Sequence, residues 1–287
     1  MIKNNVLTIL VPTYNRCRNL KICLESIDVQ TVKNFNVIIG DDASSDNTYA
    51  FLKEKYQDKT NLHFFTNNKN LGLVKNLNEM ITLAQTEWVT IVQDDDFLDN
   101  DFVETILDII NRTSKKFIIV NHRLVDENNK IIYKHNLNST QLNIFDYWNI
   151  VFQDNVNCEP GCSGISSFVF NLNSKKKMYL KNYYKGFFSD FYLCLEGASI
   201  NGVEQSEKIV YNGMRWSNSE TRSHLKHISF YINYYKAAMQ FKKDLKKLWC
   251  NVLKDSTIKP NLTIRKKILS YYRRNYMLDI IYKVLKR

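Results

Sequence analysis

Hydrophobic and polar residues alternate in blocks along the first 120 residues, and these blocks predict strands and helices in turn. Short runs rich in β-branched and aromatic residues predict strands at 6–11, 35–39, 62–65, 88–92 and 117–120. Between them, hydrophobic residues recur at helical spacing over 20–27, 49–56, 73–84 and 102–110. Strands that alternate with helices of this length indicate βαβ units, so we expect an α/β fold with a mainly parallel sheet flanked by helices.

The pattern becomes less regular after residue 120 and helical again near the end. Strand-like pieces lie at 130–133 and 166–171, and glycine-containing stretches lie at 161–164 and 197–202. After His224, Tyr, Lys and Leu recur at helical spacing. We therefore expect one α/β domain over residues 1–220, with halves 1–120 and 121–220, followed by a helical C-terminal region over 221–287.

The composition is that of an ordinary globular chain. Of its 287 residues 44% are hydrophobic, and only 3 Pro and 8 Gly are present, which excludes a low-complexity chain. No apolar run approaches the roughly 20 residues that cross a bilayer, and the run 6–11 is too short for a signal peptide. We expect the protein in the cytoplasm, either free or peripheral on the cytosolic face of a membrane.

The six cysteines are scattered, which suits ordinary thiols in a reducing compartment. Cys158 and Cys162 are spaced like two zinc ligands, but neither a second pair nor a His-x-x-x-His sequence follows them. We therefore expect ordinary thiols at these positions and hold a structural zinc site as the alternative.

The excess positive charge lies in the C-terminal fifth. The net charge is +11, and residues 236–287 contain 15 Lys/Arg against 3 Asp/Glu, a balance of +12. The charged, amphipathic pattern of this region is typical of helices that lie on anionic membranes. A helix that packs on the domain with a solvated lysine face is an equal alternative. No nucleic-acid-binding motif accompanies the charge, so we expect no nucleic acid partner.

Candidate ligand-binding residues follow four successive predicted strands. They are 12–14, Asp41 and Asp42, 68–72, and Asp94 to Asp96. Ligands of such sheets bind beyond the carboxyl ends of the strands, so these residues should converge on one edge.

Three adjacent carboxylates repel one another unless a cation neutralises them, and oxygen ligands suit Mg²⁺ or Mn²⁺. The alternative is a solvated acidic loop or helix start. Asp42 could accept from a nucleotide base or ribose, although helix capping explains its neighbours Ser44 to Asp46 in part. Neither a Walker-type loop nor a Gly-x-Gly-x-x-Gly sequence is present, which disfavours P-loop and dinucleotide-binding enzymes.

Four sequence blocks together resemble the family-2 glycosyltransferases, which have the GT-A (Rossmann-like) fold. The blocks are Thr8-Ile-Leu-Val-Pro-Thr-Tyr-Asn-Arg16, Val37-Ile-Ile-Gly-Asp-Asp-Ala-Ser-Ser-Asp-Asn-Thr48, Asn70-x-Gly72 with Lys75-Asn76, and Gln93-Asp-Asp-Asp96. The resemblance implies a GT-A domain with a C-terminal helical appendage. It also implies an inverting, metal-dependent enzyme that uses a nucleotide-sugar donor.

The resemblance also implies roles for individual residues. Asp42 matches a carboxylate that reads the uracil ring, Asp94 a ribose or sugar contact, and Asp95 the main metal ligand, with Asp96 as its helper. Gln93 departs from the Asp-Ser-Asp-Asp pattern that is frequent in the family. The remaining nucleotide-binding residues implied are Pro12, Thr13, Tyr14, Asn70, Gly72 and Lys75.

Weaker matches follow downstream. Phe187-Phe-Ser-Asp190 resembles the family's Glu-Asp segment with Ser189 in place of Glu, which makes Asp190 the implied general base. The stretch 161–164 matches a segment near the donor sugar or the acceptor, although a simple turn also explains its glycines. Arg215 matches a phosphate contact, and His224 a third metal ligand. A polar helix start is the alternative for Asp190, and a structural or solvated histidine is the alternative for His224.

The leading hypothesis is sugar transfer from a UDP-sugar to a glycan or lipid-linked acceptor in bacterial surface-polysaccharide synthesis, with Mn²⁺ or Mg²⁺ as cofactor. A nucleotidyltransferase is the second hypothesis. Such enzymes normally need a loop rich in glycine and basic residues after the first strand, and residues 12–16 do not supply one. A degenerate domain tethered by its basic tail is the third, and the retained Asp42, Asp95 and Asp190 argue against it.

Overall fold

The computed structural model describes residues 5–135, 141–147, 167–173, 179–183, 189–214 and 228–255, together with positions 260 and 266. Cys158, Cys162, the 161–164 stretch, Arg215 and His224 lie outside the described residues, so the predictions for them stay predictions.

The first half alternates strands and helices, as predicted. Its elements are β1 Leu7–Thr13, α1 Cys17–Asp28, β2 Asn36–Asp41, α2 Thr48–Tyr56, β3 Leu62–Thr66, α3 Leu73–Leu83 and β4 Trp88–Ile91. The four strands pair in parallel in the order β3-β2-β1-β4. Their carboxyl ends therefore share one edge of the sheet.

The second half extends the same sheet with mixed pairing. Its elements are β5 Phe97–Leu98, α4 Phe102–Arg112, β6 Phe117–Val125, β7 Ile131–His135, β8 Gln141–Leu142, β9 Phe168–Asn171, α5 Ser189–Asn201, β10 Val203–Met214 and α6 Ile228–Asp255. Strand β9 lies antiparallel between β4 and β6, whereas β10 runs parallel to β6 and antiparallel to β5.

The central strands of the sheet are buried on both faces, which gives three layers. Along β1, Ile9 and Val11 pack into one hydrophobic cluster and Leu10 into another, because alternate side chains point to opposite faces. The first cluster includes residues of α1, α2 and α4, and the second includes residues of α3, α5 and α6. Burial on both faces explains the continuous apolar runs of the central strands β1 and β4.

The second half is more regular than the sequence pattern predicted. The strand-like pieces at 130–133 and 166–171 correspond to β7 and β9. Residues 197–201 of the glycine-containing stretch, however, form the second part of α5, and Gly202 directly after the helix has a φ of +84°. Strand β10 was not predicted at all.

Helix α6 packs against the domain along one face. Phe241, Leu245 and Leu248 are buried in the same cluster as α3 and α5 residues. Asp244 on the same helix accepts a hydrogen bond from the Tyr183 hydroxyl at 2.8 Å and pairs with Lys181 at 3.1 Å. Among the described residues, no helix is both long enough and apolar enough to cross a membrane.

Candidate active site

A cleft of about 290 Å³ lies at the carboxyl ends of β1, β2 and β4. It is lined by Pro12, Thr13, Tyr14, Arg16, Asp42, Asn70, Gly72, Leu73, Asn76, Gln93 and Asp94. The lining thus contains all the residues predicted to bind nucleotide except Lys75, whose side chain is exposed on α3. Residues from four separate blocks of the sequence therefore converge.

Asp94 is a buried carboxylate at the floor of this cleft, 4% exposed. Its Oδ2 accepts a hydrogen bond from Thr13 Oγ1 at 2.7 Å, and its Oδ1 lies 3.3 Å from Arg16 Nη1. Burial raises the pKa of Asp94 to about 6, although the Arg16 charge and the Thr13 hydrogen bond act in the opposite direction. Asp94 therefore changes charge close to neutral pH.

Asp95, the next residue in the acidic run, is more exposed than Asp94. Its side chain is 21% exposed, and its Oδ2 lies 3.2 Å from the same Nη1 atom of Arg16. One positively charged group therefore reaches Asp94 and Asp95 at once, so the two carboxylates converge on a single point.

Asp96 faces away from this point, towards β10. Its Oδ1 accepts from the backbone N–H of Met214 at 2.9 Å, and its Oδ2 accepts from the Tyr211 hydroxyl. The side chain thereby ties the acidic run to the end of β10, from which residues 215–227 continue.

Asp42 holds the loop between β3 and α3 with its carboxylate. Its Oδ1 accepts from the Leu71 N–H at 2.8 Å and from Asn67 Nδ2 at 2.9 Å, and its Oδ2 accepts from the Gly72 N–H at 2.8 Å. Gly72 has a φ of +82°, a backbone conformation that glycine adopts without strain. Asp42 thus shapes one wall of the cleft.

Asn76 supports the same wall from α3 and had no predicted role. It is 1% exposed, donates from Nδ2 to the Gly40 carbonyl at 2.7 Å, and accepts from Asn67 Nδ2 at 3.2 Å. A Cβ at Gly40 would lie 2.7 Å from Asn76 Oδ1, so only glycine allows this approach. Together with Arg16, Leu73 and Gln93, Asn76 completes the lining.

Asp190 lies in the first turn of α5, where a helix N-terminus stabilises a negative charge. The preceding Ser189 is buried, and its hydroxyl donates to the Lys181 carbonyl at 2.5 Å. Asp190 is not among the residues that line the cleft. Among the described residues, moreover, His, Cys, Asp and Glu side chains do not form a group of three suited to a metal ion.

The family model described as Glycosyl transferase family 2 matches residues 8–172, more than half of the chain. The chain belongs to glycosyl transferase family 2. The matched range contains every residue that lines the cleft, so the cleft is part of the family's shared domain. The family predicted from the four sequence blocks is confirmed.

Bacterial relatives of this family-2 chain align with less than half of its length. It is 28% identical over 135 residues to the glycosyltransferase GlyA of Streptococcus pneumoniae, covering 47% of this chain and 19% of GlyA. It is 30% identical over 128 residues to a chondroitin synthase of Escherichia coli, covering 44% and 18% respectively. A Campylobacter jejuni GalNAc(5)-diNAcBac-PP-undecaprenol beta-1,3-glucosyltransferase is 33% identical over 106 residues, covering 37% and 34%. The alignments span less than half of each relative.

Solved structures share the GT-A fold over nearly the whole chain. S. aureus TarS 1-349 superimposes with a TM-score of 0.66 and 16% identity, over 93% of this chain and 71% of that one. Its complex with UDP-GlcNAc gives a TM-score of 0.65 and 18% identity, over 97% of this chain and 81% of TarS in that complex. A Pyrobaculum calidifontis mannosyltransferase in complex with GDP-Man and Mn²⁺ superimposes with a TM-score of 0.56 and 12% identity. The superposition covers 98% of this chain and 73% of the mannosyltransferase. The predicted fold is confirmed.

Proposed function

We propose that this family-2 protein transfers a sugar from a UDP-sugar to a hydroxyl group of a glycan or lipid-linked acceptor, with inversion at the anomeric carbon. The main support is the cleft in which Pro12–Tyr14, Asp42 and Asp94 meet at the carboxyl ends of three parallel strands. The names of the chondroitin synthase and of the undecaprenol-linked glucosyltransferase support a role in bacterial surface polysaccharide synthesis.

The nucleotide would lie between the end of β1 and the loop held by Asp42. Tyr14 is 41% exposed at the rim, and its ring could cover a base, while the Asn70–Gly72 loop forms the facing wall. Because the Asp42 carboxylate already accepts from Leu71 and Gly72, we propose that it shapes this wall as well as reading the uracil ring. Lys75 does not line the cleft, so its exposed side chain would have to reach the phosphates from the outer surface of α3.

The acidic run fits a divalent cation, because Asp94 and Asp95 oxygens approach one positively charged atom of Arg16 within 3.3 Å. Carboxylate oxygens are the ligands that Mg²⁺ and Mn²⁺ prefer. We propose that Asp95 holds the cation with help from Asp94, while Asp96 positions the run against β10 and His224 remains a further ligand candidate. A bound cation would stabilise the negative charge of the departing diphosphate.

Asp190 is proposed as the general base. Its carboxylate would take the proton of the acceptor hydroxyl while that oxygen bonds to the anomeric carbon and the bond from this carbon to the diphosphate breaks. Attack on the face opposite the leaving group gives inversion. The position of Asp190 at the start of α5 would keep its charge stabilised by the helix.

A thermal-shift titration with UDP and UDP-GlcNAc, in Mn²⁺ or in EDTA, tests the donor and metal parts of the proposal. UDP should raise the melting temperature of wild type more in Mn²⁺ than in EDTA. In Asp95→Asn, the rise should be the same in Mn²⁺ and in EDTA. Asp58→Asn is the matched control, because Asp58 is exposed in the turn before β3, away from the cleft. If no uridine nucleotide stabilises wild type, the proposed donor is wrong.

The base is tested separately by UDP release from UDP-GlcNAc. Asp190→Asn should bind UDP in Mn²⁺ like wild type but release UDP from the sugar donor at least about 100-fold more slowly, the usual contribution of a general base. Undiminished release by this variant would remove Asp190 from the mechanism.

We also propose that α6 contacts an anionic membrane from the cytosolic side. Lys243, Lys247 and Lys254 are exposed and recur at spacings of four and seven residues, which places them on one face of the helix. The opposite face is buried in the domain, so this lysine face is directed outward. Such a contact would bring the cleft near a lipid-linked acceptor.

A further inference from the structure

The backbone of Arg16 is held on both sides by the loop that follows β2. The N–H of Asn15 donates to Ser44 Oγ at 2.8 Å, and the N–H of Cys17 donates to Asp46 Oδ2 at 3.0 Å. Asn15 also has a φ of +52°, a left-handed conformation that Asn adopts more readily than most residues. The Cα of Arg16 is therefore fixed relative to the carboxyl ends of β1 and β2.

The side chain of Arg16 extends from this held backbone into the cleft. Its side chain is 34% exposed and lines the cleft, and its Nη1 atom lies 3.3 Å from Asp94 Oδ1 and 3.2 Å from Asp95 Oδ2. Rotation about the bonds of a long arginine side chain has a wide range at such exposure. A turn of the guanidinium group from the carboxylates towards another part of the cleft would need rotation of the side chain only, because the backbone of Arg16 already lies at the cleft.

Arg16 and a divalent cation at Asp95 would require the same carboxylate region. The guanidinium group cannot lose its proton in a protein, so it stays positive whatever binds beside it. Two positive charges a few Å apart repel strongly at the low effective dielectric of a protein surface. A cation at Asp95 would therefore bind more tightly once the guanidinium group has moved away.

A bound nucleoside diphosphate would give the guanidinium group another partner. The planar fork of arginine matches two phosphate oxygens at once, and this bidentate geometry favours it over a point charge. Arg16 shares the cleft with Thr13 and Tyr14, next to the position proposed for the nucleotide. The same side chain can therefore pair with acids or with phosphate.

We propose that Arg16 couples nucleotide binding to cation binding by exchanging partners. It pairs with Asp94 and Asp95 in the unliganded protein and with the diphosphate in the complex, which leaves the acids to the cation. The inference rests on the proposed function, because it takes a diphosphate and a divalent cation as ligands of this cleft. The coupling must be reciprocal, so the cation also strengthens nucleotide binding.

Mn²⁺ binding measured by electron paramagnetic resonance, with and without saturating UDP, tests the exchange. Arg16→Gln removes the charge and should bind Mn²⁺ without UDP about tenfold more tightly than wild type, since a unit charge a few Å away is gone. The factor by which UDP strengthens Mn²⁺ binding should fall by a similar amount. Arg18→Gln is the matched control, because Arg18 is an exposed arginine in the first turn of α1, and it should match wild type.

Mn²⁺ affinity that is unchanged or weaker in Arg16→Gln, with wild-type binding intact, would overturn the exchange alone. An equal effect in Arg18→Gln would also overturn it, because the effect would then be one of overall charge. Wild type that fails to bind Mn²⁺ even with UDP would instead overturn the metal dependence in the proposed function. If Arg16→Gln does not fold, Arg16→Lys provides the test: its retained charge should keep Mn²⁺ binding weak without UDP, and tight binding would contradict the exchange.

Discussion

At the scale of single residues, Asp94 combines deep burial with a charge that changes near neutral pH. Water is nearly excluded from its carboxylate, so ionisation depends on Thr13 and Arg16. Burial is the stronger influence and raises the pKa of Asp94 to about 6. A buried acid of this kind is typical of functional sites, where charge is arranged for a ligand and not for stability.

This raised pKa predicts a loss of stability with rising pH. Between about pH 4 and pH 6 the folded state keeps a proton that the unfolded state releases, so the free energy of unfolding falls as pH rises and is constant above. The full shift corresponds to roughly 3 kcal/mol. Urea unfolding in EDTA from pH 4.5 to 7.5 should show this fall for wild type relative to Asp94→Asn. A constant difference between the two proteins across this range would contradict it.

Asp46 provides a control of opposite sign. Burial alone would raise the pKa of Asp46, but hydrogen bonds from Thr48 and from the backbone of Cys17 outweigh it and hold this pKa below its ordinary value. Its contribution to the free energy of unfolding is therefore present at neutral pH and is lost as pH falls through that lowered pKa. When the urea series is extended below pH 4, wild type compared with Asp46→Asn should show the reverse slope there and a constant difference from pH 4.5 to 7.5.

The sequence predicted most of the cleft but missed some of its lining. Asp42 and Asp94 were predicted because the carboxyl ends of parallel strands must share an edge, a rule that needs only the strand pattern. Arg16, Leu73 and Asn76 were missed as lining residues because their direction depends on loop conformations that periodicity does not describe. The burial of Asp94 was equally invisible, since it depends on packing between separate strands.

At the scale of elements, β10 shows where sequence patterning fails. Glu204, Gln205 and Ser206 are buried in this strand, although their polarity is typical of a loop. Each has a specific partner: Glu204 accepts from Thr113 Oγ1 at 2.8 Å, Gln205 Nε2 donates to Asn121 Oδ1, and Ser206 Oγ accepts from the Asn121 N–H at 2.7 Å. Polar partners thus replaced the apolar pattern by which a buried strand is ordinarily recognised. The two-residue β5 was missed because two residues have no periodicity.

The contact between α5 and β6 depends on Gly197. A Cβ at this position would lie 2.2 Å from Cδ2 of Phe117, whose side chain is fully buried. Alanine favours a helix over glycine by about 1 kcal/mol, but forced overpacking costs about 1–3 kcal/mol. Because the obstructing group is a rigid buried ring, we expect the clash to prevail.

Gly197→Ala should therefore lower the free energy of unfolding by about 2 kcal/mol, measured by urea denaturation. Phe117→Leu removes the obstructing ring atoms, so Gly197→Ala should cost distinctly less in the Phe117→Leu background. Stability equal to or above wild type in the single variant would mean that helix propensity prevails and that the close approach is not required.

At the scale of the whole molecule, charge and packing are separated along α6. Residues 236–287 have a net charge of +12, whereas the rest of the chain is close to neutral. Within α6 the two alternatives left by the sequence are compatible, because Phe241, Leu245 and Leu248 are buried while Lys243, Lys247 and Lys254 are exposed. Packing on the domain fixes the direction of the lysines and does not compete with a membrane.

The lysine face of α6 predicts salt-sensitive binding to anionic vesicles. Each lysine near such a surface contributes about 1 kcal/mol, so replacing Lys243, Lys247 and Lys254 together by Gln should weaken binding on the order of 100-fold. Co-sedimentation with phosphatidylglycerol-containing vesicles measures the binding of wild type and of the triple variant. Pure phosphatidylcholine vesicles should bind neither of the two.

A triple variant with the same charge change separates this face from overall charge. Lys53, Lys69 and Lys130 are exposed elsewhere on the domain, and their replacement by Gln should leave vesicle binding near that of wild type. Because exposed charges are screened beyond about 8 Å at physiological ionic strength, lysines distant from the membrane would contribute little. Equal losses in both triple variants would show that α6 has no special role, and a wild type that binds no anionic vesicles would show that its lysine face is simply solvated.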